Sequence, residues 1–141
     1  MPAGLRRPLP HDAAHLHVTG GARYVADIPV PGGCLHLAFG LSDVACGTLD
    51  MLDLAAGRAA PGVVLALCAA DLEGPPPDCS PSAHDEPLLA EGSVHYVGQP
   101  VFLVAATSHL AARAAARLAS MRISADTPLL SIAEALAAES R

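Results

Sequence analysis

The sequence predicts an α+β fold, in which two or three helices pack on a mixed β-sheet. Short segments of alternating or continuous apolar residues, bounded by glycine or proline, are typical of strands. Two alanine-rich segments in the last third of the chain have helical spacing, and each follows a serine that can cap a helix. Strand and helix signals within one short chain predict a compact domain.

The composition is that of a folded domain. The 141 residues are 52% hydrophobic but only 3% aromatic, which is enough for one core and unlike a disordered segment. All eight basic residues are arginine, and with 14 acidic residues the formal net charge is −6. We therefore expect neither nucleic acid, which needs a basic face, nor a membrane, which needs roughly 20 consecutive apolar residues, as a partner.

The N-terminal residues lack the apolar stretch of a signal peptide, because prolines and polar residues follow Arg6 and Arg7. The four cysteines have no short spacing typical of disulfide or zinc sites. We therefore expect reduced cysteines and a cytoplasmic location.

The N-terminal third contains few regular elements. Residues 1–10, rich in proline and arginine, predict an extended arm, and residues 11–141 form the domain. Residues 11–18 fit a helical turn or a strand equally, so we assign no element there. Residues 23–25 predict a short strand, which the prolines and glycines of residues 29–33 end.

Alternation defines the clearest strand, over residues 34–42. Its leucines and Phe39 alternate with small residues, so we expect the large side chains on the core face. Residues 48–52 predict a second strand, after which Asp53 can cap a short alanine-rich turn. Residues 63–68 are apolar on both faces, which is typical of a buried central strand.

The second half begins with a proline-rich loop over residues 73–86. Residues 94–97 predict a short strand, and residues 101–106 predict a fully apolar one. Between them Gly98, Gln99 and Pro100 form a kink, because proline can only begin a strand.

Two helices follow. Ser108 predicts the cap of a helix over residues 110–120, and the next strand begins near Arg122, so the unit is typical of a crossover. The predicted apolar stripe of that helix consists of Leu110, Ala111, Ala114, Ala115 and Leu118. Ser131 and Glu134 form a capping box for a final helix that extends to about Glu139.

Three groups of possible metal ligands occur, none with the spacing of a metal motif. They are His15 with His17, Cys34 with His36, and His84 with Asp85 and Glu86. Each group needs further ligands from elsewhere, so we expect no metal in this chain. Cys79 and His84 also have the residue types of a nucleophilic site, but their segment is a loop without a nucleophile elbow. A small independent enzyme that uses His84 or Cys79 is a third hypothesis, behind the two given at the end of this section.

Gly98, Gln99 and Pro100 are the candidate site residues. Glycine permits close backbone approach, and Gln99 could present its amide to a ligand or to a neighbouring domain. The alternative is a kink at a strand start, with Gln99 solvated or bonded to backbone. No glycine-rich phosphate loop occurs in the sequence.

Short motifs follow one another in a familiar order along nearly the whole chain. They are Pro10-His11-Asp12, His17-Val18-Thr19-Gly20, Ala22-Arg23-Tyr24, Asp27-Ile28-Pro29, Leu35-His36, Ala60-Pro61-Gly62-Val63, Ala69-Ala70-Asp71-Leu72, Asp85-Glu86, Val94-His95-Tyr96-Val97-Gly98-Gln99-Pro100-Val101 and Ala111-Ala112-Arg113-Ala114-Ala115. In these motifs the chain resembles the N-terminal α/β-hammerhead domain of the molybdenum-binding subunit of bacterial xanthine dehydrogenase. The similarity covers residues 9–138.

The resemblance implies an enzyme that hydroxylates xanthine to urate and passes electrons from molybdopterin through iron–sulfur clusters to FAD and NAD. In that family the catalytic residues come from domains that follow this one, so no catalytic, cofactor-binding or metal residue is carried over. The implied partners are the remaining molybdopterin-binding domains and the FAD and iron–sulfur subunit.

Two departures from the family pattern stand out. Cys46 replaces a histidine, and the tyrosine that usually follows Arg122-Ile123 is absent. Loss of a ring that buries on the order of 200 Å² predicts weaker docking of the final strand. The leading hypothesis is an isolated or truncated hammerhead domain that is inactive alone. The alternative is a free-standing, non-catalytic binding or assembly module that docks on a partner subunit.

Overall fold

The structure, a computed structural model, describes residues 9–74, 77–81 and 85–140. Most of the predicted N-terminal arm, residues 1–8, lies outside the described residues, as does His84. The chain divides into two units, Met1–Gly32 and Gly33–Arg141.

In the described part of the first unit, a short helix, α1 (Ala14–Thr19), ends where Gly20 adopts φ +73°. The strand predicted at residues 23–25 is wrong, because a 3₁₀ turn (Val25–Asp27) forms there instead. The Asp27 carboxylate accepts a hydrogen bond from the backbone N–H of Tyr24 at 2.9 Å, which closes the chain locally.

The described residues of the second unit form two three-stranded antiparallel sheets and three α-helices. The strands are β1 (His36–Leu41), β2 (Gly47–Asp53), β3 (Val63–Cys68), β4 (Ser93–Val94), β5 (Pro100–Ala106) and β6 (Ser120–Ala125), and the helices are α2 (Ala55–Arg58), α3 (His109–Ala116) and α4 (Ile132–Ala137). The first sheet has the order β1-β5-β3 and the second has the order β4-β2-β6.

The predicted α+β class is therefore confirmed. The predicted mixed sheet is wrong, because all the described strand pairs are antiparallel. The crossover unit is also wrong. β5 belongs to the first sheet, while β6 pairs with β2 in the second, so α3 connects the two sheets. A crossover joins two parallel strands of the same sheet, whereas α3 joins β5 of the first sheet to β6 of the second.

The second strand, β2, is confirmed, and Asp53 accepts a hydrogen bond from the N–H of Ala55 at 2.8 Å, in the first turn of α2. β3 forms as predicted but lies at an edge of its sheet rather than at the centre. β5 takes the central position, and Val101, Val104 and Ala106 on it are fully buried.

β1 shows the predicted alternation with the opposite orientation. Its small residues face the core, where Ala38 pairs with buried Val104 and Gly40 pairs with buried Phe102. The ring of Phe102 occupies the space that a side chain at Gly40 would need. The leucines and Phe39 therefore point away from the core.

α3 likewise buries its small residues. Ser108 caps it as predicted, accepting a hydrogen bond from the N–H of Ala111 at 3.1 Å. Ala112 and Ala115 are fully buried, while Leu110, part of the predicted stripe, is 80% exposed. A Cβ at Gly57 would lie 3.0 Å from the carbonyl oxygen of Ala115. The backbones of α2 and α3 are therefore too close for a leucine side chain between them.

α4 begins at the predicted capping box. Ser131 Oγ accepts from the N–H of Glu134 at 3.2 Å, and the Glu134 carboxylate accepts from the N–H of Ser131 at 3.0 Å. The Ser131 hydroxyl also donates to this carboxylate at 2.8 Å, and that bond, with those from the backbone N–H groups of Leu130 and Ser131, lowers the pKa of Glu134. The apolar residues of α4, Ile132 and Leu136, are exposed rather than packed.

Candidate functional site

The candidate residues Gly98, Gln99 and Pro100 lie in the turn that leads into β5. Gln99 is only 2% exposed. Its amide oxygen accepts a hydrogen bond from the backbone N–H of His95 at 2.7 Å. The turn therefore uses this amide oxygen internally, and Pro100 begins the strand as expected.

Backbone hydrogen bonds tie this turn to the residue that follows β1. The N–H of Gly98 donates to the carbonyl oxygen of Ser42 at 2.7 Å, and the N–H of Ser42 donates to that of Gln99 at 2.9 Å. Gly98 adopts φ +89°, which favours glycine. Sequence reasoning missed the role of Ser42, since nothing near it in the chain indicates this pairing. A ligand-facing or interface role for the turn stays a prediction.

The possible metal ligands do not assemble. His17 Nδ1 lies 3.0 Å from the hydroxyl oxygen of Tyr24, and the ring of His36 lies 6.4 Å from that of His109. Over residues 9–74, 77–81 and 85–140, no three His, Cys, Asp or Glu side chains come together as a metal site. All four cysteines are free thiols. The described donor set therefore does not fit a metal ion or an iron–sulfur cluster.

The Cys79 hypothesis gains no geometric support, because His84 lies outside the described residues. Cys79 itself is exposed, and its backbone N–H donates to the carbonyl oxygen of Glu86 at 2.8 Å. No described helix is both long and apolar enough to cross a membrane.

The most distinctive surface is the face of the first sheet that points away from α3. We call it the outer face, formed by Leu37, Phe39, Leu41, Leu65, Leu67 and Leu103. The register pairs Phe39 with Leu103 and Leu103 with Leu67, so these side chains form one continuous surface. Leu37 is 54% exposed, Phe39 45% and Leu41 50%.

The outer face has the character of an interface. It contains no charged or polar side chain. Contiguous exposed apolar patches on a folded domain mark sites of interaction, because exposure of apolar area to water is unfavourable. The geometry thus supports docking rather than catalysis by the described residues.

Comparison with known proteins identifies the domain. Residues 19–125 match the family model of the aldehyde oxidase and xanthine dehydrogenase a/b hammerhead domain, which covers most of the chain. The chain belongs to this family. The resemblance seen in the motifs and the hammerhead fold are both confirmed.

Individual relatives agree with the hammerhead assignment. The chain is 36% identical over 134 residues to xanthine dehydrogenase of Oryza sativa subsp. japonica, covering 95% of this chain and 10% of the relative. It is 36% identical over 129 residues to the nicotine 6-hydroxylase large subunit of Paenarthrobacter nicotinovorans, covering 85% of this chain and 15% of that subunit.

A solved structure shows the same architecture. The chain superposes on quinoline 2-oxidoreductase from Pseudomonas putida 86 with a TM-score of 0.80 and 31% identity, covering 92% of this chain and 17% of that one. The chain therefore spans only 10–17% of the length of these three proteins.

Proposed function

We propose that this chain is the hammerhead domain of the molybdopterin-binding subunit of a bacterial xanthine dehydrogenase in the cytoplasm. Support comes from the relatives named xanthine dehydrogenase, of which the rice protein is 36% identical over nearly the whole chain. In this proposal the complete enzyme hydroxylates xanthine to urate and transfers the electrons to NAD. Its purine substrate places it in purine catabolism.

The exposed outer face is the observation that carries a docking role. Phe39 and its neighbouring leucines are about half exposed on β1, at the edge of the first sheet, and form part of a continuous apolar face that a partner can cover. The chain spans only 10% of the rice enzyme, so a larger protein offers the cover. We propose the remaining molybdopterin-binding domains as that cover, with the FAD and iron–sulfur subunit in the same assembly.

The contribution of this chain is therefore structural. Molybdopterin, iron–sulfur clusters, FAD and NAD would supply the redox chemistry of the complete enzyme. The described residues provide a rigid sheet and an apolar surface, and we assign no catalytic residue among them.

An activity assay tests the proposal. The purified 141-residue chain should contain no molybdenum and should not oxidise xanthine with NAD. A molybdenum subunit whose own hammerhead domain has been deleted should bind the chain and regain turnover. Turnover by the chain alone would contradict the proposal, as would failure to bind the deleted subunit.

A free-standing binding or assembly module is the second candidate, because an exposed apolar face marks an interaction site without specifying the partner. Co-purification separates the two. Recovery of a molybdenum hydroxylase subunit supports the domain proposal, whereas stable recovery of an unrelated subunit alone supports the module.

A further inference from the structure

α3 runs alongside β1 in the same direction. The ring of His36, at the start of β1, lies 6.4 Å from the ring of His109, at the start of α3. Further along, residues 38–41 of β1 share an open cavity of about 280 Å³ with Arg113 and Arg117. We call the depression between these two elements the β1–α3 groove.

Arg113 and Arg117 line this groove without an acidic counterpart. His109, Arg113 and Arg117 recur at intervals of four residues, which places them along one side of the helix. Neither β1 nor α3 contains Asp or Glu. Among the described residues, Arg58 and Arg122 have carboxylate partners, whereas Arg113 and Arg117 have none. The unpaired guanidinium groups are notable in a chain of net charge −6.

β1 is also an unprotected edge strand. It lies at the end of the order β1-β5-β3, and no further strand pairs with it within the described residues. Natural proteins usually guard such edges with lysine, proline or an inward-pointing charge, because an open edge can pair with another chain. β1 carries none of these three devices, and its pairing with β5 is regular up to Gly40, with a shift in register only between Gly40 and Leu41 at its end.

We propose that the β1–α3 groove accepts an extended acidic segment of a partner polypeptide, which adds a strand to β1. Side chains of an added strand alternate between the two faces of the sheet. On the α3 side, carboxylates would meet Arg113 and Arg117. On the other side, apolar residues would continue the outer face beyond Phe39.

The spacings of the two elements agree with this arrangement. Alternate residues of a strand are about 6.8 Å apart. Positions four residues apart on a helix are separated by about 6 Å along its axis. Consecutive carboxylates on one side of the segment can therefore each reach one guanidinium group, whose planar donors suit a carboxylate. The acidic, extended character of the segment follows from the groove alone. Only its assignment to the same enzyme would rest on the proposed function.

Peptide titration of the isotope-labelled chain tests the groove. The probes are a blocked peptide of alternating glutamate and valine and the same peptide with glutamine in place of glutamate. The glutamate peptide should shift the amide resonances of β1 and α3 in nuclear magnetic resonance spectra. Arg113→Gln with Arg117→Gln should weaken its binding about tenfold, because two exposed ion pairs are lost.

The charge control is Arg23→Gln with Arg122→Gln, which removes two positive charges from exposed positions outside the groove, one of them paired with Asp50, and should leave binding unchanged. Equal binding of both peptides would overturn the proposal. So would shifts confined to other elements, equal weakening by the control pair, or no shift at millimolar peptide. None of these results bears on the assembly of the hydroxylase, so the two proposals fail separately.

Discussion

The carboxylate of Asp71 joins three parts of the fold. One oxygen accepts hydrogen bonds from the backbone N–H of Cys68 at 2.9 Å and from Arg58 Nη2 at 2.8 Å. Arg58 Nε also donates to the carbonyl oxygen of Ala66 at 3.0 Å. The bond from the Cys68 N–H is the main cause that lowers the pKa of Asp71, and the Cys68 thiol and Arg58 contribute to the same effect.

This residue predicts a pH dependence of stability. The pKa of Asp71 in the folded protein is below its ordinary value. Its carboxylate therefore contributes fully to the free energy of unfolding above about pH 4, and this contribution is lost as the pH falls through the folded pKa. At neutral pH, Asp71→Asn should lower the free energy of unfolding by about 0.5–1 kcal/mol, since the side chain is partly exposed. Urea unfolding at several pH values should show the gap between the two proteins closing below pH ~4. A gap that persists in acid would contradict this account.

Gly40 predicts a steric effect. A side chain at this position would overlap the ring of buried Phe102. Gly40→Ala should therefore lower the free energy of unfolding by about 1–3 kcal/mol. Gly32→Ala is the control, since nothing lies within 4 Å of a Cβ there. Equal unfolding midpoints for the two variants would show that the packing argument is wrong.

Among the elements, the turn before β5 depends on one buried amide. Gln99→Met keeps the size of the side chain but leaves the His95 N–H without its acceptor, so we expect a loss of about 1–3 kcal/mol. Thr127→Val, at an exposed position, should change stability by less than about 0.5 kcal/mol. Chemical denaturation measures both. An unchanged Gln99→Met protein would return Gln99 to the ligand-facing hypothesis.

Local signals predicted where the elements lie better than how they pack. The period of two located β1, and the serine caps located α3 and α4, because these patterns reflect neighbouring residues alone. The face of β1 that points into the core was mispredicted. Gly40 leaves space there for the ring of Phe102, which lies 62 positions later in the sequence and so gives no local signal. The same reason applies to α3, whose alanines face the core where Gly57 allows close approach.

Sheet membership could not be predicted from local pattern either. β6 follows α3 at a distance typical of a crossover, yet its partner is β2, with Ser120 opposite Asp53. The missing tyrosine near Arg122 did not prevent the strand from pairing over its whole length. For the candidate site, the sequence located the turn at Gln99, but the outer face emerged only once β3, β5 and β1 were in register.

At the scale of the whole molecule, the outer face predicts self-association of the chain in isolation. Exposed leucines in a continuous patch favour contact between copies. Leu37→Ser with Phe39→Ser should shift sedimentation velocity profiles towards monomer. Val18→Ser with Leu110→Ser, at exposed positions outside the outer face, should not. A wild-type chain that stays monodisperse and monomeric at high concentration would contradict this prediction.

The most direct test of the docking role is the affinity of the chain for a xanthine dehydrogenase molybdenum subunit that lacks its own hammerhead domain. We expect a stable complex with the wild-type chain and with Val18→Ser/Leu110→Ser. Leu37→Ser/Phe39→Ser should weaken the complex at least about tenfold, because the central apolar residues of an interface carry most of its energy. Unchanged affinity of Leu37→Ser/Phe39→Ser would contradict docking through the outer face, and no complex with the wild-type chain would contradict the domain proposal itself.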